Sequence, residues 1–243
     1  MLATLSLSLL LLLMPAHTTN VVVLTLPRNS VTVSLPPSGK ADLKRDATVS
    51  RISIEIKNLP PPATFGAAMN SFVVWAVSPE GNLENVGELA IDKNKGRLET
   101  TTKFDQVGLL VTAEPYYMVD RPSAAVAFRS GNPEDDGIRR QWVPVQVGAY
   151  NYSGLVPQKP GAGVPAIVAE ARAALQIAKD AGAARWDEAE FLAAGAALET
   201  SEKLLSRENP PDIVAEYANE AIRLSEDVIE AARKKQVAAG SGS

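Results

Sequence analysis

The stretch Arg51-Ile-Ser-Ile-Glu-Ile-Lys57 sets the pattern of the first half of this chain. Ile52, Ile54 and Ile56 fall on one side of an extended backbone, and the polar residues between them fall on the other. Such alternation is typical of a β-strand with one buried face. Residues 30–35, Ser-Val-Thr-Val-Ser-Leu, alternate in the same way.

Two other stretches are apolar on both faces and predict central strands: Ser71-Phe-Val-Val-Trp-Ala-Val77 and Val107-Gly-Leu-Leu-Val-Thr-Ala113. A third, at residues 141–147, contains Pro144, which cannot donate a ladder hydrogen bond and therefore indicates an edge strand. Turn residues rich in proline, glycine and asparagine separate these runs. The pattern predicts an antiparallel β-sandwich of roughly seven to nine strands over residues 20–153.

The period becomes helical after a linker at residues 154–164 that is rich in proline and glycine. Gly182 suits the end of the first helix. Asp187, with Glu190 three residues on, forms a capping box, so a second helix should begin near Glu188. The first helix carries one apolar stripe, formed by Val168, Ala171, Leu175 and Ala178.

A third helix should begin after Asn209, with proline in its first turn. Its apolar residues are spaced alternately by three and four, which predicts a seam like that of a coiled coil. We therefore expect a multidomain protein, β then α, with an antiparallel helical hairpin or three-helix bundle over residues 165–236 and a flexible tail at 237–243. The two halves should fold independently. The seam comprises Val214, Tyr217, Ala221, Leu224, Val228 and Ala231.

An uncharged run of leucine, serine and methionine at residues 5–14 predicts an export signal. Its length of about ten residues suits a signal peptide and is too short for a membrane span of roughly 20 residues. We expect a signal peptide over residues 1–19, cleaved near Ala16. Residues 1–4 lack the usual positive charge, so a buried N-terminal strand or helix remains the alternative.

The residues that usually carry catalysis are scarce. Cysteine is absent and the single histidine, His17, lies within the predicted signal peptide. Neither a Ser-His-Asp or Cys-His nucleophile nor a Cys/His zinc site can then be built. We expect no enzyme activity, no cofactor and no bound metal. Paired carboxylates of a cryptic hydrolase stay open as an alternative.

Charge is unevenly distributed along the chain, whose net charge is −4. Residues 165–236 hold 9 Lys and Arg against 14 Asp and Glu, a net of −5, and the remainder holds 15 against 14, a net of +1. This mild acidity argues against a nucleic-acid partner, which would favour a basic face.

Four positions are candidate sites. Trp75 should be a core residue, and Glu114 should cap a turn or face water. Tyr116-Tyr117-Met118 should form an exposed aromatic patch and is the best candidate for binding. Glu134-Asp135-Asp136 offers oxygen ligands for calcium, but it lacks the alternating ligand spacing of a calcium loop, so a solvated turn is favoured.

Several motifs occur in the order of a known domain: Val74-Trp-Ala-Val-Ser-Pro-Glu-Gly81, Val86-Gly-Glu-Leu89, Gly96-Arg97, Leu110-Val-Thr-Ala-Glu-Pro115 and Pro122-Ser123. Together they resemble the extracytoplasmic β-domain of anti-sigma-K-type factors. That family also carries sigma-binding helices and a transmembrane helix, which these 243 residues lack. The resemblance therefore implies the sandwich and not the anti-sigma activity.

Residues 171–232 are similar to the alanine-rich helical domain found beside OmpA-like domains in envelope proteins, through Ala174-Leu175, Ala178 and Asp180-Ala-Gly-Ala183. We expect a periplasmic or secreted bacterial envelope protein that acts as a binding or scaffold module. An extracytoplasmic sensor is the alternative. The expected partner is an envelope protein or a cell-wall component, without a stable membrane span after processing, and the helices should carry any homodimer contact.

Overall fold

The computed structural model describes residues 17–26, 30–36, 38–131, 138–157 and 164–240 of the chain. The predicted signal run at residues 5–14 and the acidic loop at 134–136 lie outside the described residues. Within this part, eleven strands precede three α-helices. The strands are β1 His17–Thr25, β2 Val31–Leu35, β3 Gly39–Arg45, β4 Ser50–Lys57, β5 Ser71–Val77, β6 Leu83–Glu88, β7 Ala90–Asp92, β8 Lys95–Thr102, β9 Gln106–Glu114, β10 Val126–Arg129 and β11 Arg140–Val147, and the helices are α1 Ala166–Asp180, α2 Glu188–Ser206 and α3 Pro211–Gly240.

The strands form two antiparallel sheets, which confirms the predicted fold class. The larger sheet has the order β11-β1-β9-β5-β6, with β10 also paired to β9, and the smaller has the order β2-β3-β4-β8-β7. More strands are present than predicted. One reason is that the chain changes sheets at Leu89, because β6 pairs with β5 whereas β7 pairs with β8.

The helices cover the outer face of the larger sheet, so the molecule has three layers. Phe72 and Val74 of β5 pack in the core between the two sheets. Val73 and Trp75, on the opposite face of the same strand, pack in a second core with residues of the helices such as Ile222. The predicted central position of β5 and β9 is confirmed, and these strands are apolar on both faces because both faces are covered.

The outer strands also follow their patterns. Ile52, Ile54 and Ile56 of β4 are buried, while Arg51 before them and Ser53 between the first two are exposed, as the alternation predicts. Pro144 lies on the terminal strand β11, as predicted for an edge. Strand β1 begins earlier than predicted, and residues 17–19, assigned above to the signal peptide, pair with β11.

Local capping signals place the helix ends. The Asp187 side chain accepts a hydrogen bond from the backbone N–H of Glu190 at 3.1 Å, and α2 begins at Glu188 as predicted. Gly182 adopts a left-handed conformation with φ of +68° just after α1. An L-residue with a side chain is strained there, and this is why glycine ends the helix.

The predicted seam of α3 is right at Val214, Ala221 and Val228, which are buried, and wrong at its other three positions. Tyr217 is 40% exposed, and Leu224 and Ala231 are only partly buried. Because α3 packs against α1, α2 and the sheet together, it buries a wider face than a two-helix seam requires. The helix also continues to Gly240, past the predicted end at Gln236. Its buried positions are Val214, Ala218, Ala221, Ile222, Ser225, Val228, Ile229 and Ala232.

The two halves of the chain share one hydrophobic cluster, and their independent folding stays a prediction. Val21 and Val145 of the larger sheet share one hydrophobic cluster with Val168 and Ala174 of α1. Leu155, in the first part of the predicted linker, belongs to the same cluster, while residues 158–163 lie outside the described residues. Among the described helices, none is both long enough and apolar enough to span a membrane.

Candidate functional site at the sheet–helix interface

The three aromatic and methionine residues predicted as an exposed patch lie at the contact between the larger sheet and the helices, called the interface below. Tyr116 is only 1% exposed, and its hydroxyl group donates a hydrogen bond to Glu226 of α3. The Tyr117 hydroxyl donates to Asn219 Oδ1 at 3.0 Å. Met118 is partly buried against the shared cluster. The prediction of an exposed patch is wrong for Tyr116, which is buried, while Tyr117 and Met118 are partly buried, and binding of a partner by these residues stays a prediction.

The loop that carries Tyr116 and Tyr117 is held by amide side chains from neighbouring strands. Asn85 of β6 donates from Nδ2 to the carbonyl oxygen atoms of Tyr117 and Val119, at 2.9 and 3.0 Å. Asn70, just before β5, donates to the carbonyl oxygen of Pro115 at 2.9 Å. The backbone carbonyl groups of Pro115, Tyr117 and Val119 thereby have hydrogen-bond donors, and these bonds hold the loop to the neighbouring strands.

Two carboxyl groups lie at the interface. Glu170 of α1 is 1% exposed, whereas Glu88 of β6 is only partly buried. The backbone N–H of Tyr117 donates to Glu170 Oε2 at 3.0 Å. Burial raises the pKa of Glu88 to about 7, and Glu170 opposes this. Burial, and then the charge of Glu88, raises the pKa of Glu170 well above its ordinary value.

Glu114 is fully buried at the end of β9, and does not face water as expected. Its Oε1 accepts hydrogen bonds from the Thr112 hydroxyl and from the backbone N–H of Ser123, the latter at 2.7 Å. Its Oε2 has no hydrogen-bond partner among the described residues. Burial raises the pKa of Glu114 to about 8, against the hydrogen bonds that favour its charged form.

Trp75 is a core residue, as predicted. Its side chain is 1% exposed on the helix-facing side of β5. The indole N–H donates to Thr112 Oγ1 at 2.8 Å, so the polar atom of this large side chain is satisfied. Through Thr112, Trp75 is connected to Glu114, and the three residues form one buried polar chain.

Arg233 of α3 completes the interface at its exposed edge. Its Nη1 donates to Asp120 Oδ1 at 2.8 Å, and its guanidinium group lies 3.8 Å from the centre of the Tyr150 ring. The Tyr150 hydroxyl donates to Asp120 Oδ2 at 2.9 Å. Nearby, burial raises the pKa of Glu226 to about 7, whereas the hydrogen bond from Tyr116 and the charge of Arg233 lower it.

One pocket of ≈ 490 Å³, called the end pocket, opens at one end of the sandwich. Phe65, Met69, Ser123, Tyr150 and Asn151 are among its lining residues, and His17 also lines it. A second pocket of ≈ 590 Å³ lies beside Trp142, which is 59% exposed. The described lining of both pockets contains no aspartate or glutamate.

Glu88 and Glu170 line neither of these two pockets. Within the described ranges, no group of three or more histidine, aspartate or glutamate side chains is placed to hold a metal ion. The chemistry available to Glu88 and Glu170 is the binding and release of a proton.

The sequence reasoning missed Glu88, Glu170, Glu226 and Arg233. For Glu170 the spacing to Ala174, four residues on, gave a signal, because residues four apart lie on one face of a helix. No local pattern pairs Arg233 with Asp120. Arg233 precedes Lys234 and Lys235, and three basic residues in a row are typical of a solvated surface. No known protein family, curated protein or solved structure matches this chain. Its architecture therefore defines its class, a β-sandwich whose larger sheet carries a docked three-helix layer.

Proposed function

We propose that this protein is an exported bacterial envelope protein that acts as a non-catalytic binding or scaffold module. The end pocket carries the proposal. Phe65, Met69 and Tyr150 supply apolar and aromatic contact area there, and Asn151 supplies an uncharged amide group. Pockets of this size and composition bind small molecules or a protruding group of a larger partner.

The expected partner is an envelope protein or a cell-wall component that inserts an uncharged, partly apolar group. The uncharged run at residues 5–14 supports export. Purification from the native host followed by mass spectrometry tests this part, and a mature N-terminus near Ala16 is the expected result.

Site-specific photo-crosslinking tests the binding role. Ala67 is exposed at the end pocket, and Ala90 is an equally exposed alanine on β7 of the smaller sheet. A photoreactive residue at position 67 should capture envelope material that position 90 does not capture. Ala124→Arg, which places a long side chain at the exposed rim, should abolish that capture. Equal capture at positions 67 and 90 would count against the proposal.

Self-association through the helices would suit a scaffold. Leu192 of α2 is 61% exposed and Tyr217 of α3 is 40% exposed, so the outer helical surface retains apolar area. Sedimentation velocity of the full chain should show a dimer that Leu192→Glu disrupts. A monomer at high concentration would refute this part of the proposal.

An extracytoplasmic sensor is the second candidate, favoured by the buried carboxyl groups that join the helices to the sandwich. In a sensor, a ligand bound in the end pocket displaces Tyr152, which lines the pocket. This displacement changes how the larger sheet contacts the helices at the interface. The resemblance of the sandwich to anti-sigma-K-type domains agrees with such a role. Hydrogen exchange separates the two candidates: partner binding should change exchange in α1–α3 for a sensor and leave it unchanged for a scaffold.

A further inference from the structure

The second pocket, called the Trp142 groove below, is lined by the terminal strands of the two sheets. Ser34 belongs to β2 at the end of the smaller sheet, and Trp142 belongs to β11 at the end of the larger one. Residues 126–131, from β10 and the turn after it, form most of the remaining lining. The volume of ≈ 590 Å³ lies within the range of small-molecule sites, roughly 300–1,000 Å³. The groove shares no described lining residue with the end pocket, so the two are separate candidate sites.

The indole group of Trp142 lies on an uncovered part of the larger sheet. Val143 and Val145 of β11 pack in the core on the helix side, so Trp142 points to the opposite face of the sheet. Its cross-strand partner Val22 points the same way and is fully buried in the core between the sheets. Trp142 is nevertheless 59% exposed, so the smaller sheet covers β1 at Val22 and leaves the indole of the edge strand in contact with solvent.

Arg129 of β10 supplies a fixed positive charge in the groove. Its Nη1 donates to the carbonyl oxygen of Asn20 at 3.1 Å and to Thr19 Oγ1 at 3.3 Å. Both acceptors are uncharged, and Arg129 forms no ion pair with any described aspartate or glutamate. The guanidinium group is thus held in position without a described carboxylate to neutralise it. A planar guanidinium group binds a carboxylate through two parallel hydrogen bonds.

A second arginine adds positive charge beside the indole. Arg140 precedes Trp142 by two residues on β11, so the two side chains lie on the same face, about 7 Å apart along the strand. Arg140 is exposed and has no acidic partner within the described ranges. Because the described lining of the groove also contains no aspartate or glutamate, the charge of this region favours an anionic ligand.

We propose that the Trp142 groove is a binding site for an acidic saccharide. The C–H face of a sugar ring stacks on the indole of Trp142, and a carboxylate on the sugar accepts hydrogen bonds from Arg129. The ring hydroxyl groups are left at the rim, where Ser34 offers an exposed hydroxyl group. An exposed aromatic plane, a fixed cation and an uncharged polar group are the three contacts that such a ligand requires.

The surroundings of Trp142 distinguish this ligand from a protein or a nucleic acid. The centre of a protein interface is a contiguous apolar area, whereas the other exposed residues on this face of β1 and β11 are polar or proline. They are Thr18, Asn20, Arg140, Pro144 and Gln146. A nucleic acid would require a broad basic face, and the net charge of this chain is −4.

Two probes carry a carboxylate on a sugar: tri-galacturonic acid and the disaccharide N-acetylglucosaminyl-N-acetylmuramic acid. The groove alone suggests an acidic saccharide, while the choice of the second probe, a cell-wall sugar, rests on the proposed function. Isothermal titration calorimetry with the full chain should show binding of at least one acid, and its neutral methyl ester should bind about tenfold more weakly. Binding of tri-galacturonic acid alone would support the site and count against a cell-wall source. Capture at position 67 tests the proposed function separately.

Two variants and two controls assign the binding to the groove. Trp142→Ala should abolish binding of the acid, and Arg129→Gln should weaken the acid about tenfold while leaving the affinity for the ester unchanged. Trp186→Ala and Arg97→Gln, at exposed positions on the helical half and on β8, should change neither. Circular dichroism checks that each variant retains its fold.

Three results would overturn the proposal. The first is that neither acid binds, and the second is that Trp142→Ala binds the acid as tightly as the wild type. The third is that Arg129→Gln weakens the acid and the ester equally. Binding of an oligothymidylate in the absence of binding by either acid would assign the groove to a nucleic acid and would likewise overturn it.

Discussion

The hydroxyl group of Tyr116 donates a hydrogen bond to Glu226, and this contact joins the loop after β9 to α3 across the interface. Burial raises the pKa of Glu226 to about 7 and the bond from Tyr116 opposes that rise. The docking of the helices thus combines apolar contact area with polar groups that are removed from water. Polar groups in such positions stabilise the contact only while each retains its partner.

Replacing Tyr116 by phenylalanine should therefore destabilise the protein without changing its fold. The substitution leaves the Glu226 carboxyl group buried and short of a donor, which costs about 1–3 kcal/mol in the free energy of unfolding. Urea denaturation of both proteins measures this difference. Tyr217→Phe is the control, since that tyrosine is 40% exposed, and its effect should be small. Equal effects of the two substitutions would contradict the assigned contact.

Stability should fall as the pH rises from about 5 to 8. Glu88, Glu114 and Glu226 have pKa values raised from 4.5 to about 7, 8 and 7, mainly by burial. Below pH 4.5 the three carboxyl groups are protonated in the folded and in the unfolded chain. At higher pH the unfolded chain releases these protons first, so stability is lost as the pH rises towards the folded pKa values, by about 1.4 kcal/mol per pH unit for each retained proton.

Urea denaturation at pH 5.5 and pH 8 checks this dependence. Hydrogen bonds from basic side chains are the main cause that lowers the pKa values of Asp46, Glu199 and Glu220. These three groups stabilise the fold when ionised, and this stabilisation is lost as the pH falls. Those three groups are exposed and screened by salt, so their effect should be small and should diminish at high ionic strength. Greater stability at pH 8 than at pH 5.5 would show that the buried carboxyl groups do not dominate.

Two glycine substitutions in the helical half should have opposite effects. Gly182→Ala places a side chain on a left-handed backbone, with a cost of about 1 kcal/mol or somewhat more. Gly195→Ala lies inside α2, where no atom is within 4 Å of the added methyl group, and should stabilise by about 0.5–1 kcal/mol. The midpoint of thermal unfolding should be lower than that of the wild type for Gly182→Ala and higher for Gly195→Ala. Destabilisation by both would argue against this account of the helix end.

The sandwich should be poorly soluble without its helices. A chain ending at residue 157 would expose the outer face of the larger sheet, including Val21, Val73 and Trp75. An apolar area of this kind promotes association. Size-exclusion chromatography should show aggregation of the truncated chain, and the full chain should unfold in a single transition. A monomeric, stable fragment would support the independent halves expected from the sequence.

Local patterns were sufficient to predict elements whose structure depends on nearby residues. The alternating isoleucines of β4, the Asp187 cap and the proline in the edge strand all act within a few residues of their own position. Periodicity also identified β5 as covered on both faces. It did not reveal that one of these covers is the helical layer, because a pattern of burial does not specify the partner.

The candidate site was less predictable for the same reason. Tyr116 was expected to be exposed, because loop residues usually are, but its partner Glu226 follows 110 positions later. Glu114 was expected to cap a turn or face water, and it is instead fully buried, with a hydrogen bond from Ser123 of the following loop that no local pattern predicts. The seam of α3 was misjudged because a pattern with a period of 3.5 does not distinguish one neighbouring helix from several.

The pairing of β1 with β11 has a consequence for the order of folding. His17 of β1 lies opposite Val147 of β11, so the first strand acquires its main neighbour only after ten other strands have been made. Closing so large a loop carries a high entropic cost, and contacts between distant residues slow folding. During synthesis the larger sheet therefore stays incomplete until late, whereas β2, β3 and β4, which pair with immediate neighbours, are free to assemble first. A chain with this topology is expected to complete its larger sheet, and with it the surface on which the helices dock, late in folding.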